Sequence, residues 1–424
     1  MAELELKYGN RTFSCRLDEA RILSATVPPS PADPAVQVRA ALKAPIGSPT
    51  LDKIVRPGEK VVIVTSDITR YTGSEIYLPV LIEQLNACGV PDDDIEILVA
   101  LGIHRKQTEN EHRKILGPLF GRIRVIDHDC DNPAELATIG ATSDDLTITV
   151  NRRVIEADRV IVTGTVGFHY FAGFGGGRKG LVPGVAARET CMATHFRVLN
   201  PPEIGGRHPQ AATGVLDGNP VHTAILAAAR MVEPDFLLNT VLSPQKEILA
   251  VFAGEMEQAH LAACDLVRQL YAVDLAAPAD LAVVSCGGQP KDINFIQAHK
   301  ALDYGVGALR TGGAIILLAA CPDGFGNATF FDWFRHRNPA AFESALRERY
   351  EINGQTAYST LMKAKRYRVI LVSELGEVEI RQMGMEKATD LDEALRMAYE
   401  KLPPNPRTVI IPDGGTVLPV IQNS

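Results

Sequence analysis

Short apolar runs that alternate with amphipathic helical patterns constrain the fold of this chain most strongly. Three runs have the character of strands: KVVIVTSD (60–67), IEILVALGIH (95–104) and RVIVTGTVG (159–167). Between the first two, apolar residues recur at helical spacing, at positions 77, 78, 81, 82 and 85. Strands that alternate with helices are typical of βα units around a mostly parallel sheet. The sequence therefore predicts an α/β fold in which helices flank each sheet.

A second series of the same kind begins after DLAAPAD (274–280), a segment with the composition of a linker. Its strands are AIILLAA (314–320) and RVILVSE (368–374). We predict two domains, each with a mostly parallel sheet, and an active site in the cleft between them. Residues 1–274 form a cofactor-binding domain and residues 275–403 a substrate-clamping domain. The final strand, in residues 404–424, is expected to return to the sheet of the first domain.

Two local patterns add detail to this plan. Thr108 and Glu111 have the spacing of a capping box, which predicts the start of a helix. Residues 236–253 read as two strands joined at Ser-Pro-Gln, followed by a helix over residues 255–271.

The composition excludes several classes of protein. A net charge of −8 argues against a general nucleic-acid binder, which needs clustered Lys and Arg to contact phosphates. No apolar run reaches the roughly 20 residues that span a membrane, and the first residues lack the layout of a signal peptide. Seven scattered cysteines form neither a disulfide framework nor a CxxC metal site. We therefore expect a cytoplasmic enzyme that binds neither nucleic acid nor membrane.

The segment GFHYFAGFGGGRKGLVPG (167–184) is the strongest chemical signal in the chain. It combines His169 with a run of three glycines, Gly175, Gly176 and Gly177, and then Arg178 and Lys179. Glycines allow close approach of the backbone to a ligand, and adjacent cations favour an anion such as phosphate. The segment is not a P-loop, because Arg178 stands where a glycine is required and Gly180 follows the lysine.

Three of the predicted strands end in polar, reactive residues. The first is followed by Asp67 and Arg70, the second by His104, and the third by His169. Ligands of open α/β sheets bind beyond the carboxyl ends of the strands, so these groups are expected to share one crevice. Two histidines there suit general acid and base chemistry. The alternative is structural: a turn with an Asp67–Arg70 ion pair, and histidines that only cap the strands.

Two further candidates lie elsewhere in the sequence. His195, in CMATHFRV, has no Cys or His partner at the spacing of a metal site, so it could hold only a metal whose other ligands come from a cofactor. Gln297, His299 and Lys300 are predicted near the start of a helix, where Lys300 and the helix terminus could receive a carboxylate. An ordinary buried histidine and a solvated first turn are the alternatives.

Taken together, these segments resemble the lactate racemase family, whose members use the nickel-pincer nucleotide. The matching pieces occur in the order and spacing of the family: SDITR (66–70), LGIHR (101–105), HYFAGFGGGRKGLVPG (169–184), ATH (193–195), FAGEMEQAH (252–260) and DINFIQAHK (292–300).

The resemblance implies a cofactor and the residues that hold it. The cofactor is pyridinium-3-thioamide-5-thiocarboxylic acid mononucleotide, a pincer that binds Ni(II). Lys179 corresponds to the lysine that attaches it covalently through a thioamide, and His195 to the fourth nickel ligand. Asp67, Gly175, Gly176, Gly177 and Arg178 lie where the nucleotide and its phosphate would be held. Proteins that synthesise the cofactor are implied as partners.

The resemblance also implies a reaction. His104 and His169 correspond to the paired acid and base, and Arg70, Gln297 and Lys300 to the groups that bind the substrate carboxylate. One histidine takes the hydroxyl proton of a 2-hydroxy acid while hydride passes from C2 to the cofactor, which gives a planar 2-keto acid. Return of hydride to the opposite face inverts the centre, so the implied activity is that of a racemase or epimerase.

The chain departs from the family pattern at positions that are expected to line the substrate pocket. Tyr71-Thr72-Gly73 stands where the family has a proline-containing sequence, Ile296 replaces an aromatic residue, and Gln355 replaces a tryptophan near the cofactor. A 2-hydroxy acid with a larger or more polar side chain than lactate is therefore expected. Two other functions stay open: a nicotinamide-dependent 2-hydroxy-acid oxidoreductase, and a non-enzymatic carrier of the nickel nucleotide.

Overall fold

A computed structural model describes residues 4–17 and 19–422. The strands, in chain order, are β1 (Leu4–Tyr8), β2 (Arg11–Cys15), β3 (Arg21–Ile22), β4 (Val61–Ser66), β5 (Ile95–Ala100), β6 (Arg124–Asp127), β7 (Leu136–Ala141), β8 (Thr147–Asn151), β9 (Arg159–Thr165), β10 (Phe168–His169), β11 (Gly173–Phe174), β12 (Phe236–Leu242), β13 (Ile248–Gly254), β14 (Ala272–Leu275), β15 (Ala279–Ser285), β16 (Leu309–Leu318), β17 (Arg368–Val372), β18 (Glu386–Ala388), β19 (Thr408–Ile411) and β20 (Leu418–Ile421).

The helices, in the same order, are α1 (Pro34–Lys43), α2 (Leu51–Ile54), α3 (Ser74–Ala87), α4 (Glu109–Leu116), α5 (Arg153–Glu156), α6 (Arg188–Phe196), α7 (Pro220–Arg230), α8 (Met256–Tyr271), α9 (Phe295–Gly305), α10 (Ala328–Asp332), α11 (Pro339–Glu348), α12 (Ile352–Arg366), α13 (Glu377–Gln382) and α14 (Leu391–Tyr399). Within the described residues, no helix combines the length and the apolar character needed to cross a membrane. All seven cysteines are unbridged. A cytoplasmic location stays a prediction.

The first compact unit comprises residues 27–200 and 208–269. Its six-stranded sheet has the order β13-β12-β9-β4-β5-β6, parallel throughout except for the β12–β13 hairpin. The central strands are buried on both faces, which is why they appear in the sequence as continuous apolar runs. Because β9, β4 and β5 are neighbours, their carboxyl ends lie side by side at one edge of the sheet.

The second unit comprises the chain up to Thr26, Pro201–Arg207 and the chain from Leu270. Its sheet has the order β18-β17-β16-β15-β19-β3, and every pair of neighbours is parallel. The β1–β2 hairpin contributes Leu6, Tyr8 and Cys15 to the core of this unit. The predicted α/β class, with two mostly parallel sheets flanked by helices, is confirmed.

The expected return of residues 404–424 to the first domain is wrong. β19 pairs with β15 on one side and β3 on the other, and β20 pairs with β14. All four residues of β19 are buried, so this strand needs neighbours on both sides, and the second sheet provides them. The N-terminal residues belong to the same unit, which local sequence patterns did not indicate. The expected linker at 274–280 instead contains the end of β14 and the start of β15.

The local predictions are confirmed. Thr108 caps α4 in a complete capping box with Glu111. The segment 236–253 forms the antiparallel pair β12 and β13, and α8 follows it. The expectation that the reaction takes place in a cleft between the two domains stays a prediction.

Candidate active site

The residues that follow β4 and β5 meet at the carboxyl edge of the first sheet. Nδ1 of His104 lies 2.5 Å from Oδ2 of Asp67. The register explains the contact, because Ser66 at the end of β4 is paired with Ala100 at the end of β5. The backbone turns after each strand. The amide of Arg70 donates to the carbonyl of Asp67, and the amide of His104 donates to the carbonyl of Leu101. The predicted crevice does bring these two side chains together.

Asp67 is buried, with 3% of its surface exposed, and is held as a carboxylate. Burial by itself would raise its pKa, but hydrogen bonds from His104 and Thr69 lower the pKa below its usual value. The backbone N and Oγ1 of Thr69 donate to Oδ1 at 2.9 and 2.6 Å. The side-chain partners of Asp67 are thus His104 and Thr69, whereas Nη1 of Arg70 donates to the carbonyl of Thr69 at 3.4 Å. An ionised Asp67 accepts the Nδ1 proton of His104, which leaves Nε2 as the basic nitrogen.

His169 lies in a short hairpin, where β10 pairs with β11 directly after β9. Its Nδ1 accepts a hydrogen bond from the amide of Ala172 at 3.2 Å, so the proton of the neutral ring belongs on Nε2. Burial lowers the pKa of His169 well below its usual value, and the nearby charges of Lys179 and Arg70 lower it further. The structure thus gives the two histidines opposite proton arrangements.

The ring of Phe171 is a wall that three candidate residues share. Its centroid lies 4.5 Å from that of His169 and 5.1 Å from that of His195. Nζ of Lys179 lies 5.8 Å from the same centroid. Phe171 is almost fully buried, so its position is fixed by packing. The two histidines and the lysine therefore surround one small apolar surface.

The glycine run gives Lys179 its place on a short 3-10 turn, Gly177–Gly180. Gly176 has a φ of +68°, and a Cβ there would lie 2.8 Å from both Oδ1 of Asn239 and the carbonyl oxygen of Thr165. The amide of Gly177 donates to the same Oδ1 at 2.8 Å. Burial, followed by the charge of Arg178, lowers the pKa of Lys179 to about 7. A large share of the amine is therefore neutral at physiological pH.

Arg178 does not extend beside Lys179 towards a ligand. Its guanidinium is buried and donates to the carbonyl of Ala172 at 2.9 Å and to Nε2 of His260 at 3.0 Å. The sequence predicted a contact with the nucleotide or its phosphate, and that contact stays untested. The observed partners are protein groups, because the 3-10 turn directs successive side chains to different sides.

His195 lies on α6 and is almost fully buried. Its Nδ1 donates to the carbonyl of Cys191, one turn earlier, at 2.8 Å. Burial, with a smaller contribution from Lys179, lowers its pKa to about 3, so the ring is neutral. Among the residues that the structure describes, no three His, Cys, Asp or Glu side chains converge on a metal site.

Gln297 and Lys300 lie on α9, in the second unit. Asn294 caps this helix by accepting the amide of Gln297 at 3.0 Å, and Nζ of Lys300 donates to Oε1 of Gln297 at 3.0 Å. His299, their neighbour in sequence, points the other way: it is buried, with Nε2 3.4 Å from Nζ of Lys363. The two predicted carboxylate-binding residues thus contact each other, and His299 does not join them.

Sequence reasoning missed several residues that support the site. Thr69 orients Asp67, Phe171 separates the histidines, and Asn239 and His260 hold the glycine run. Thr69 follows Asp67 within a recognised motif and could have been found there. Asn239 lies inside an apolar strand, and no local signal marks it. His260 ends the matching segment FAGEMEQAH, but nothing in the sequence assigned it a role.

Comparisons with known proteins cover the chain from end to end. Family models of the lactate racemase N-terminal and C-terminal domains match residues 8–205 and 275–419. The lactate racemase of Thermoanaerobacterium thermosaccharolyticum is 32% identical over 99% of both chains. That of Lactiplantibacillus plantarum is 33% identical over 98% of this chain and 99% of its own.

Solved structures agree with this result. The lactate racemase apoprotein from T. thermosaccharolyticum has a TM-score of 0.89 at 31% identity, with 100% of each chain covered. A Thermotoga maritima protein, 22% identical, has a TM-score of 0.67 over 92% of this chain and 98% of its own, and shares the fold.

Proposed function

The chain belongs to the lactate racemase family, and from that premise we propose that it inverts C2 of a 2-hydroxy acid by proton-coupled hydride transfer to a nickel-pincer nucleotide. The chain is thus an isomerase, a racemase or epimerase of 2-hydroxy acids. Its substrate is lactate or another 2-hydroxy acid, and a planar 2-keto acid is the intermediate. Separate biosynthesis proteins make the cofactor, which is attached to Lys179.

The surroundings of His195 are the observation that carries the proposal. A metal-binding imidazole is neutral, and a hydrogen bond from its other nitrogen usually fixes its orientation. His195 meets both conditions, because its pKa is lowered to about 3 and its Nδ1–H is bonded to the carbonyl of Cys191. The remaining lone pair is on Nε2. His195 alone would hold a nickel ion whose remaining donors would have to come from the nucleotide.

The site also fits the attachment of a nucleotide. A neutral amine has the lone pair that bond formation requires, and with a pKa of about 7 a large share of Lys179 has that form at neutral pH. A side chain at Gly176 or Gly177 would collide with Asn239 or His260, so these glycines let the turn that carries Lys179 pack closely against the sheet and α8. When bound, the nucleotide supplies a carbon that accepts hydride from the substrate and returns it.

The two histidines then move the hydroxyl proton. Nε2 of His104, which keeps its lone pair because Nδ1–H is bonded to the Asp67 carboxylate, takes the proton from one enantiomer. When the alcohol forms on the opposite face, His169 acts in its protonated form, gives the Nε2 proton to the oxygen and returns to the neutral ring; the reverse reaction exchanges the roles of the two histidines. The charge of Lys179 lowers the pKa of His169, so attachment, which removes that charge, favours the protonated ring.

The substrate carboxylate needs polar or charged partners, and three residues are proposed for this task. Arg70, exposed beside Asp67, would hold the carboxylate together with Gln297 and Lys300. Gln355, where the family has a tryptophan, is buried on α12. A substrate larger or more polar than lactate stays part of this proposal.

The test begins with co-expression of the chain with the cofactor-synthesis proteins and nickel. Peptide mass mapping should find an adduct on Lys179 together with stoichiometric nickel, and Lys179→Ala should show neither. Racemisation of one lactate enantiomer in D2O, or of another 2-hydroxy acid from a panel, should then leave protium at C2. Active protein without adduct or nickel, or deuterium at C2, would contradict the mechanism. Nucleotide and nickel binding that is unchanged in His104→Gln, together with no racemisation of any 2-hydroxy acid by the loaded wild type, would favour a carrier.

A further inference from the structure

Residues 67–73 join β4 to α3, and this segment is called the Arg70 loop below. Arg70 itself is exposed, whereas Thr72, two residues later, is buried. The sequence of the loop, DITRYTG, contains no proline that could fix its backbone. The position of Arg70 therefore depends on the contacts that hold the two ends of the loop.

The hydroxyl of Tyr77, in the first turn of α3, holds the far end of the Arg70 loop. Tyr77 is fully buried, and its hydroxyl oxygen lies 2.9 Å from Oγ1 of Thr72. The same hydroxyl donates to Oγ1 of Thr163 on β9 at 3.1 Å, and it lies 3.2 Å from Oγ1 of Thr65 on β4. One oxygen atom thus ties the loop to two neighbouring strands of the sheet. These four hydroxyls are called the Tyr77 network.

The direction of each bond in the Tyr77 network follows from its last member. Oγ1 of Thr163 donates its proton to the carbonyl of Val64 at 2.9 Å, so towards Tyr77 it can only accept. Because the single proton of Tyr77 is directed to Thr163, the hydroxyls of Thr72 and Thr65 must donate to Tyr77. Every hydroxyl proton then has an acceptor. A buried network that is fully satisfied in this way specifies one arrangement of the groups that it joins.

Two further contacts fix the same end of the loop. The carbonyl of Thr72 accepts a hydrogen bond from Oγ1 of Thr240 on β12 at 2.8 Å. Gly73 has a φ of +75°, and a Cβ there would lie 2.7 Å from Cδ1 of Ile248 on β13. Thr72 is therefore held through both its side chain and its backbone, and Gly73 packs directly against the sheet.

We propose that Tyr77 is a positioning residue whose hydroxyl, by holding Thr72, keeps Arg70 where the carboxylate of the substrate binds. The proposal rests on the function proposed above, because it takes Arg70 as a carboxylate-binding residue. A shift of Thr72 moves the backbone from which the Arg70 side chain extends. Loss of the anchor should therefore weaken substrate binding and leave the chemical step unchanged.

The test uses the enzyme loaded by co-expression with the cofactor-synthesis proteins and nickel, and a 2-hydroxy acid that the wild type racemises. Tyr77→Phe removes one oxygen and keeps the ring. It should raise KM by about fivefold while kcat stays within about twofold of wild type, since one hydrogen bond is lost. Thr72→Val should act in the same way, and Thr72→Ser, which keeps the hydroxyl, should restore KM. Adduct mass on Lys179 should be unchanged in all three.

Hydrogen–deuterium exchange of the apoprotein observes the loop without nickel or nucleotide. In wild type the amide of Arg70 is bonded to the carbonyl of Asp67. Peptides that cover residues 67–73 should exchange faster in Tyr77→Phe and Thr72→Val, because the loop opens more often. Thr138→Val is the matched control. It removes a hydroxyl–hydroxyl bond of the same 2.9 Å length from the β7–β8 hairpin, and it should change neither KM nor exchange in the loop.

An unchanged KM in folded Tyr77→Phe would overturn the proposal. A lower kcat at unchanged KM would do so too, because the effect would then fall on the chemical step and not on carboxylate binding. Circular dichroism and thermal melting establish which variants fold. Should Tyr77→Phe fail to fold, the same results in Thr72→Val decide.

The exchange data separate this proposal from the function on which it rests. If the loaded wild type racemises no 2-hydroxy acid, faster exchange in the loop of Tyr77→Phe would support the anchor and count against the function alone. Exchange at the wild-type rate in both Tyr77→Phe and Thr72→Val would overturn the positioning role of Tyr77.

Discussion

His104 and His169 lie near the same sheet edge but receive different partners from the fold. Nδ1 of His104 is bonded to the carboxylate of Asp67, whereas Nδ1 of His169 accepts a backbone amide and its ring is surrounded by cations. A carboxylate stabilises the protonated ring and cations destabilise it. The contrast shows that two histidines at one sheet edge can carry their ring protons on different nitrogens, because the group bonded to Nδ1 differs.

The largest expected effect comes from removing either histidine from the loaded enzyme. His104→Gln and His169→Gln should each lower kcat by about 10³-fold, the scale of general acid or base catalysis. Chiral analysis of both reaction directions measures this loss. Adduct mass on Lys179 should be unchanged, which separates lost proton transfer from lost cofactor. A variant that retains more than a tenth of the wild-type kcat would contradict the proposed role of the replaced histidine in proton transfer.

The second-largest loss of kcat is expected from replacing the carboxylate of Asp67. Asp67→Asn should lower kcat by about 10²-fold, since an amide can present either its oxygen or its NH2 group to Nδ1 and so does not fix the tautomer of His104. The chain offers a matched control: Asp127 accepts from Nε2 of His112 at 2.8 Å, outside the candidate site. Asp127→Asn should leave kcat at the wild-type value, and equal losses in the two variants would show a general effect on folding.

The buried histidines should also increase the number of protons that the chain takes up when it unfolds at mildly acidic pH. His195 has a folded pKa of about 3, below the usual 6.5, so between these values the unfolded chain binds a proton that the folded chain does not. Its contribution to stability is present above pH 6.5 and is lost as the pH falls towards 3, by about 1.4 kcal/mol per pH unit. At pH 5, His195→Gln should lower proton uptake on unfolding, measured by pH-stat titration of the apoprotein, by about one. His169→Gln should act in the same direction, and wild-type uptake in both variants would refute the assignment.

The smallest effect is expected at Thr69, which orients the carboxylate. Thr69→Val removes the Oγ1 hydrogen bond to Asp67 but keeps the backbone one, so a loss of about 1 kcal/mol, or about fivefold in kcat, is expected. Thr69→Ser retains the hydroxyl and should recover most of the activity. Steady-state kinetics on both variants measure the effect. Equal kcat values in Thr69→Val and Thr69→Ser would show that the hydroxyl of Thr69 has no part in orienting Asp67.

Much of the fold could be predicted because its signals are local. The continuous apolar runs of β4, β5 and β9 and the capping box of α4 are properties of short segments, and each appears in the structure where the sequence placed it. The position of β19 could not be predicted in this way. Its apolar run shows that it is buried, but the choice of β15 and β3 as neighbours depends on packing across the whole unit.

The sequence by itself determined the α/β class, and it predicted which histidines, lysine and glycines follow the carboxyl ends of the strands. Periodicity and motif spacing encode these features within a few residues. Only the tertiary structure decided that Asp67 orients His104, that Cys191 fixes the ring of His195, and that Arg178 turns inward to His260. These decisions set proton positions and charge. They arise from burial and from contacts between groups on different elements or turns, which spacing along the chain does not specify.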